Sequence, residues 1–271
     1  MTPAQPSTTP AGGTVLTARH GAVLVLTLSN PGARNALSPQ IYEAGVAAVW
    51  QATQDESVRA LLIHGADGFF CAGGNLNRLK ANRTGPPDAQ RASIDALHRW
   101  IAALRGCPKP VVAAIEGAAA GAGFSLALAC DLLVASRDAR FVMSYARIGL
   151  SPDGGATASL AAALAPQRAF AVLALAEPLG ADELFRAGIV HQVCEPPATI
   201  STAMALAERL ATGPTAVYAR IKRLLADARR SDLPAQLDRE REALIASLFS
   251  EDAGEGIDAF LSKRSPRFRG R

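Results

Sequence analysis

The sequence is short of the residues that disulfides and metal sites need. Its 271 residues include four cysteines, Cys71, Cys107, Cys130 and Cys194, and no two stand in C-x-x-C spacing. Each lies in or beside an apolar segment. That argues against a disulfide framework or a zinc site and for a reducing cytoplasm. There is no H-E-x-x-H pair, no Walker phosphate loop and no G-x-G-x-x-G; GAAAGAG at 117–123 has the wrong spacing. The most apolar stretch, VVAAIEGAAAGAGFSLALACDLLVAS, is broken by Glu116, by glycines and by Asp131, so it suits a buried strand–loop–helix–strand and not a membrane span. The opening MTPAQPSTTPAGG has no basic stretch followed by an apolar one. It does not read as a signal peptide, and its Pro and Thr content reads as a disordered tail over 1–13. Charged residues make up only 19% of the chain, with a net charge of +4. This is not the clustered charge of a nucleic-acid binder. It suits a phosphorylated small-molecule ligand and equally a merely basic surface.

Apolar residues, at 49%, are ample for a large core. TVLTARH and AVLVLTLS are β-branched runs that read as a hairpin turning at His20-Gly21. Ser38 reads as a helix N-cap with Pro39 at the first helical position, and the helix runs to about Thr53. RALLIHG, PVVAAIEG, DLLVAS and FVMS read as strands, and GAGFSLALAC as a helix start. The charged stretch from Arg78 to Arg91 shows no strong period and reads as a mobile segment entering a helix that ends near Leu104. After Ala156 the pattern is helical almost to the end. The organisation is therefore α/β, with a core over 14–195 and a helical region over 196–271 whose apolar faces call for another subunit.

Two glycine-rich turns, FFCAGGNL at 69–76 and EGAAAGAGFSLAL at 116–128, each follow a predicted strand. The second opens a helix, so its first N–H groups are free and sit at the positive end of the dipole. Two such turns side by side could give two donors to one oxygen, although glycine turns often serve folding alone. A third loop, RIGLSPDGGAT at 147–157, holds Asp153 between a proline and two glycines. By itself it fits a turn aspartate capping a helix as well as a catalytic acid. GFSLA around Ser125 misses the nucleophile-elbow pattern, because Ala127 stands where the last glycine belongs.

Those three stretches in this order, with RNALS near the start and PLGADELFRAGIVHQVCEP at 178–196, closely resemble the enoyl-CoA hydratase/isomerase (crotonase) superfamily. The resemblance covers nearly the whole chain from about residue 14. It implies a spiral of ββα units with a helical trimerisation region, assembled as a homotrimer or hexamer. It implies acyl-CoA thioester substrates, with coenzyme A as part of the substrate, no separate cofactor or metal, and no nucleic-acid or membrane partner. The thioester oxygen would sit on the N–H groups of Gly74 and Ala122. Arg34, Ala36, Ala72 and Lys263 match positions near the CoA moiety, and the basic tail LSKRSPRFRGR could meet CoA phosphates or stay solvated.

Hydratases of the family carry two glutamates. The matching positions here are Ser125 and Tyr145, neither of them a base near neutral pH. Isomerase branches place an acid in a loop like PDGG, which makes Asp153 the expected proton carrier between two carbons. A dehalogenase branch uses an Asp nucleophile there with a His base, at the place of His98, and a Trp, at the place of Tyr145. A hydratase with atypical residues and a non-catalytic acyl-CoA binder complete the alternatives. His20, His64 and His191 read as structural.

Overall fold

The computed structural model describes residues 12–271. The tail expected over 1–13 therefore lies outside the described residues, except for Gly12 and Gly13. The hairpin forms as read: β1 (Thr14–His20) pairs antiparallel with β2 (Val23–Ser29). Helix α1 (Pro39–Gln54) follows, with the Ser38 hydroxyl accepting from the Ile41 N–H.

Parallel strands β3 (Ala60–Gly65), β4 (Val111–Ile115), β6 (Leu132–Ser136) and β9 (Gln192–Cys194) extend the hairpin into a six-stranded sheet ordered β1-β2-β3-β4-β6-β9. Side chains alternate across it. Leu61, Ile63, Val111, Ala113 and Ile115 face one core, while Ala60, Leu62, Val112 and Ala114 face a second. Both faces are covered, so these strands can be almost wholly apolar. Helix α1 and helix α3 (Pro87–Gly106) close the first face; helix α8 (Thr199–Ala211), through Ala203, Leu206 and Ala207, closes the other. Gly45 lets α1 approach α3, because any Cβ there would fall inside the Trp100 indole.

A second, smaller sheet runs alongside. Its strands are β5 (Ala118–Ala120), β7 (Arg140–Val142) and β8 (Leu179–Gly180). Two isolated parallel bridges, Cys71 to Ala119 and Leu37 to Gly74, continue it. Each turn of the spiral thus gives one long strand to the large sheet and one short piece to the small one. Gly74 and the start of helix α4 (Ala122–Ala127) come from consecutive turns and meet at the small sheet.

The structure corrects the sequence reading in two places. The stretch from Arg78 to Arg91, expected as a mobile segment entering a helix, is helical except at 83–86: α2 (Leu76–Asn82) and the start of α3 occupy it. The Asn75 side chain caps α2 by accepting from the Arg78 N–H at 3.1 Å, Pro87 starts α3, and Asn82 bonds Gln90 at 2.7 Å. Caps and cross-links hold these helices, so no apolar period was needed. Past Ala156 the chain is not wholly helical either. After α5 (Ala156–Ala163) and α6 (Pro166–Leu175), the pieces β8 and β9 return to the two sheets around α7 (Ala181–Arg186); they run two and three residues, too short for a visible period-2 pattern.

Beyond α8 lie α9 (Thr215–Ala228), α10 (Leu233–Leu248) and α11 (Glu251–Leu261). Helix α9 is latched to the core by Lys222, which meets Asp131 at 2.7 Å and the Lys109 carbonyl at 3.2 Å. Burial pushes the Asp131 carboxyl up, against the pull of Lys222. The basic tail does not float. Asp252, nearly fully buried, accepts from the N–H groups of Arg269 at 2.6 Å and Gly270 at 2.7 Å. Arg264 clasps Glu255 through two bonds of 2.6 and 2.9 Å, which, with the Arg267 N–H, holds that carboxyl at about 2. Among the described residues no helix is long and apolar enough to cross a membrane.

Candidate active site

The two glycine turns lie against each other. A Cβ on Gly73 would stand 3.4 Å from the Ala122 nitrogen and inside the shell of the Ala120 carbonyl oxygen. Only glycine fits there, and its φ of +90° is one that other residues rarely adopt. Cys71 supports the pair from below: its thiol donates to the Asn35 carbonyl at 3.1 Å and accepts from the Gly73 N–H at 3.3 Å. Burial pushes that thiol up to about 12, so it is a prop and not a nucleophile. Gly123 packs so closely that its Cβ would lie 2.7 Å from the Cys71 sulfur.

The N–H groups of Gly74 and Ala122 have no acceptor among the described residues, whereas their neighbours do: Ala120 donates to Cys71 and Gly121 to Val142. Two free donors on abutting turns are the groups that holding one oxygen as it gains charge would call for.

Asp153 is tied to α4, the helix that Ala122 opens. Its carboxylate oxygen Oδ1 accepts from the Tyr145 hydroxyl at 2.5 Å, and its backbone carbonyl accepts from the Ser125 hydroxyl at 3.0 Å. Oδ2 takes no hydrogen bond from the described residues. Helix α5, which follows, has Gly155 at its N-cap and no side-chain cap at all. The carboxylate of Asp153 therefore does not serve the helix. Gly154 makes the approach possible: at φ +61° it brings the loop onto α4, and a Cβ would stand 2.8 Å from the Ser125 Cβ. Burial and the neighbouring Asp153 charge push the Tyr145 phenol well above its ordinary range, so it stays a donor.

Of the other positions singled out from the sequence, three are neighbours. Arg34 is exposed and lies over the Phe69 ring, 5.7 Å to the centroid, and its carbonyl accepts from the Ala72 N–H at 3.0 Å. Ala36 is buried next to it, and its carbonyl accepts from Asn30 at 2.7 Å. Lys263 is exposed just beyond α11 and is not hydrogen-bonded to any of these. His98 is exposed on α3 and shares no hydrogen bond with Asp153, Tyr145 or Ser125. His64 bonds Thr27 at 2.9 Å between β2 and β3, and His20 meets Glu208 at 2.9 Å, both remote from the loop.

Sequence reasoning missed Tyr42, Arg78 and Ser93. Tyr42 falls among the buried residues of α1, and the other two fall in or just past the stretch without a period. In the structure the Arg78 guanidinium bonds Ser93 and reaches the Tyr42 hydroxyl at 3.5 Å.

Comparison with known proteins agrees with this architecture. The family model described as enoyl-CoA hydratase/isomerase matches residues 18–271. A 1,2-epoxyphenylacetyl-CoA isomerase of Escherichia coli is 36% identical over 92% of this chain and 95% of its own. A probable enoyl-CoA hydratase of Rhodobacter capsulatus is 36% identical over 91% of this chain and 94% of its own. The crystal structure of an enoyl-CoA hydratase from Polaromonas sp. JS666 superposes with a TM-score of 0.93 at 46% identity, covering 94% of this chain and all of that one. The chain belongs to the enoyl-CoA hydratase/isomerase family.

Proposed function

We propose that this enzyme shifts a double bond within an acyl-CoA thioester, with Asp153 carrying the proton. The carrying observation is that Asp153 is the carboxylate bound to Ser125 of the helix that Ala122 opens and to Tyr145, and neither of those two is a base. The thioester oxygen would lie on the N–H groups of Gly74 and Ala122. That placement acidifies the carbon next to the carbonyl. Asp153 Oδ2 takes a proton from that carbon, and the electron pair moves into the thioester, giving a dienolate whose oxygen the two donors hold. The protonated carboxyl then returns the proton two carbons further along. The double bond ends conjugated to the carbonyl and no water is consumed. The isomerase relative, named for an epoxide substrate, supports an isomerisation and leaves the double-bond shift to the assay below. The hydratase names among the relatives make hydration its chief rival.

A single assay separates them. Purified protein is mixed with a 3-enoyl-CoA and, separately, a 2-enoyl-CoA. Conjugation is followed by absorbance and water addition by mass. Growth of the conjugated product without an 18 Da gain is expected (on the order of 1–10³ turnovers per second). Hydration of the 2-enoyl-CoA at such a rate would sink the proposal.

Tyr145 has a positioning part in this scheme. Tyr145→Phe removes the donor on Oδ1 and keeps the ring. We expect kcat to fall by roughly 10–150-fold, one charge-assisted hydrogen bond's worth. The Kd for a saturated acyl-CoA, read by calorimetry, should stay within about threefold, since an orienting bond is not a binding bond. An equal loss in both quantities would show a packing role instead.

The same reading takes the enzyme to be a homotrimer or hexamer. Helix α9 has no buried residue of its own, and Leu225, Leu237, Leu244, Phe249 and Phe260 stand 54–84% exposed across the helical end. A row of this kind asks for a partner surface. Sedimentation should give one species of three or six chains; a stable monomer at micromolar concentration would overturn it.

A further inference from the structure

Arg78 is a cation without a counter-ion. Its guanidinium is partly buried, its Nε is buried with no hydrogen-bond partner, and its neighbours are neutral: the Ser93 hydroxyl, the Tyr42 hydroxyl at 3.5 Å and the Tyr42 ring at 6.0 Å. No carboxylate among the described residues pairs with it within 4.0 Å. Surface cations need no partner, but a cation withdrawn from water does.

Its position ties it to the site. Helix α2 begins directly after Gly74, and Leu79, next to Arg78, would lie 3.8 Å from a Cβ on Gly74. On α3, Ser93 holds Arg78, and Leu97 would lie 3.6 Å from a Cβ on Gly154, beside Asp153. Ser93 and Leu97 are four residues apart on one helix face, a rise of about 6 Å. Tyr42, from α1, meets Arg78 there. Burial, with the Asp153 charge and against the Arg78 charge, pushes its phenol up to about 12. The Arg78 guanidinium and the Asp153 carboxylate are both linked to α3, one through Ser93 and the other through the loop at Leu97. They do not neutralise each other, because Asp153 Oδ1 is held by Tyr145 and no ion pair forms between the two.

We propose that Arg78 receives an anionic group on the acyl chain, so that the thioesters this enzyme prefers carry a carboxylate at the far end. A carboxylate matches the planar fork of a guanidinium. Ser93 and Tyr42 orient the fork from the side away from the substrate. The inference rests on the acyl-thioester reading above but not on which reaction follows.

The test is a binding comparison with the full chain. Glutaryl-, adipoyl- and suberoyl-CoA are titrated against pentanoyl-, hexanoyl- and octanoyl-CoA by calorimetry. In the wild type we expect at least one diacid thioester to bind on the order of tenfold or more tightly than its plain partner, the gain of a desolvated charge pair. Arg78→Met should erase that preference while plain chains stay within about threefold. Arg78→Lys, which keeps charge and loses the fork, should leave part of it and serves if the Met variant does not fold. Diacids binding no better than plain chains in the wild type overturn the proposal, as does a preference that survives Arg78→Met. No readout depends on turnover. A diacid preference without any double-bond shift overturns the isomerase reading and leaves Arg78 standing. A double-bond shift on plain chains with no diacid preference does the reverse.

Discussion

Asp153→Asn removes the double-bond shift while leaving the substrate bound. The amide has the shape of the carboxylate, and its oxygen can still accept from Tyr145, so the loop that carries it keeps its bond to the phenol. What disappears is the capacity to take and return a proton. We expect kcat to fall by about 10²–10⁴-fold, the usual share of a positioned acid–base group. The Kd for a saturated acyl-CoA should move by less than about threefold, because the two N–H donors and the CoA contacts are untouched. Absorbance of the conjugated product measures the first and calorimetry the second. Activity within tenfold of wild type would mean that another group moves the proton and that Asp153 is a turn residue after all. If Asp153 were instead a nucleophile with His98 as its base, a halide-bearing aroyl-CoA would release halide, and the same substitution would stop that release.

Gly73→Ala is expected to cost both activity and stability, and its neighbour should cost far less of either. A methyl group on Gly73 meets the Ala120 carbonyl oxygen and requires φ near +90°. The turn must open, and the Gly74 N–H swings away from its partner at Ala122. Misplacing one such donor typically lowers the rate by about 10²–10³. Backbone strain and the lost fit should destabilise the fold by about 1–3 kcal/mol. Gly74→Ala is the comparison. A Cβ there meets nothing closer than Leu79 Cδ1 at 3.8 Å, and the backbone donor remains. Its loss in kcat/KM should be at least tenfold smaller than that of Gly73→Ala, a gap of about 1.4 kcal/mol or more. Urea midpoints and kcat/KM of the two variants, measured together, decide the matter; similar losses would mean that the shape of this turn is not what holds the transition state.

Much of this site could be read from local sequence. A glycine turn after a strand, a helix opening on free N–H groups and an acid between proline and glycines are all written within a dozen residues. Each carries its geometry with it, because positive φ and a free first helical turn are local properties. The hairpin and the Ser38 cap were legible for the same reason. What could not be read is what distance in the chain conceals. Tyr42 and Arg78 are 36 residues apart, and Arg78 and Ser93 are 15 apart. Nothing in the spacing of LNRLKANRTGPPDAQRAS says that its arginine will face a tyrosine from α1. The same stretch hid two helices, because capping and cross-linking side chains hold them and not an apolar stripe. Strands β8 and β9 hid because two or three residues are too few to show alternation. The basic tail misled in another way. Its charge is visible in sequence, but the acids of α11 that engage Arg264 and the backbone of Arg269 are identified only by the fold-back.

The pairing of Gly74 with Ala122 has a consequence for how such an enzyme can change over time. Both donors are main-chain atoms. Apart from proline, which has no N–H, no exchange of one side chain for another deletes them as long as the turns keep their shape. The side chains that meet in front of them, Ser125, Tyr145 and Asp153, are each one codon from something else. Inheritance is therefore divided. On the proposed reading, the means of stabilising an anion is guarded by the few glycines that shape the turns, while the choice of what is done with that anion lies in three ordinary positions. A lineage can try new reactions at those three sites and, through every trial, still hold the thioester.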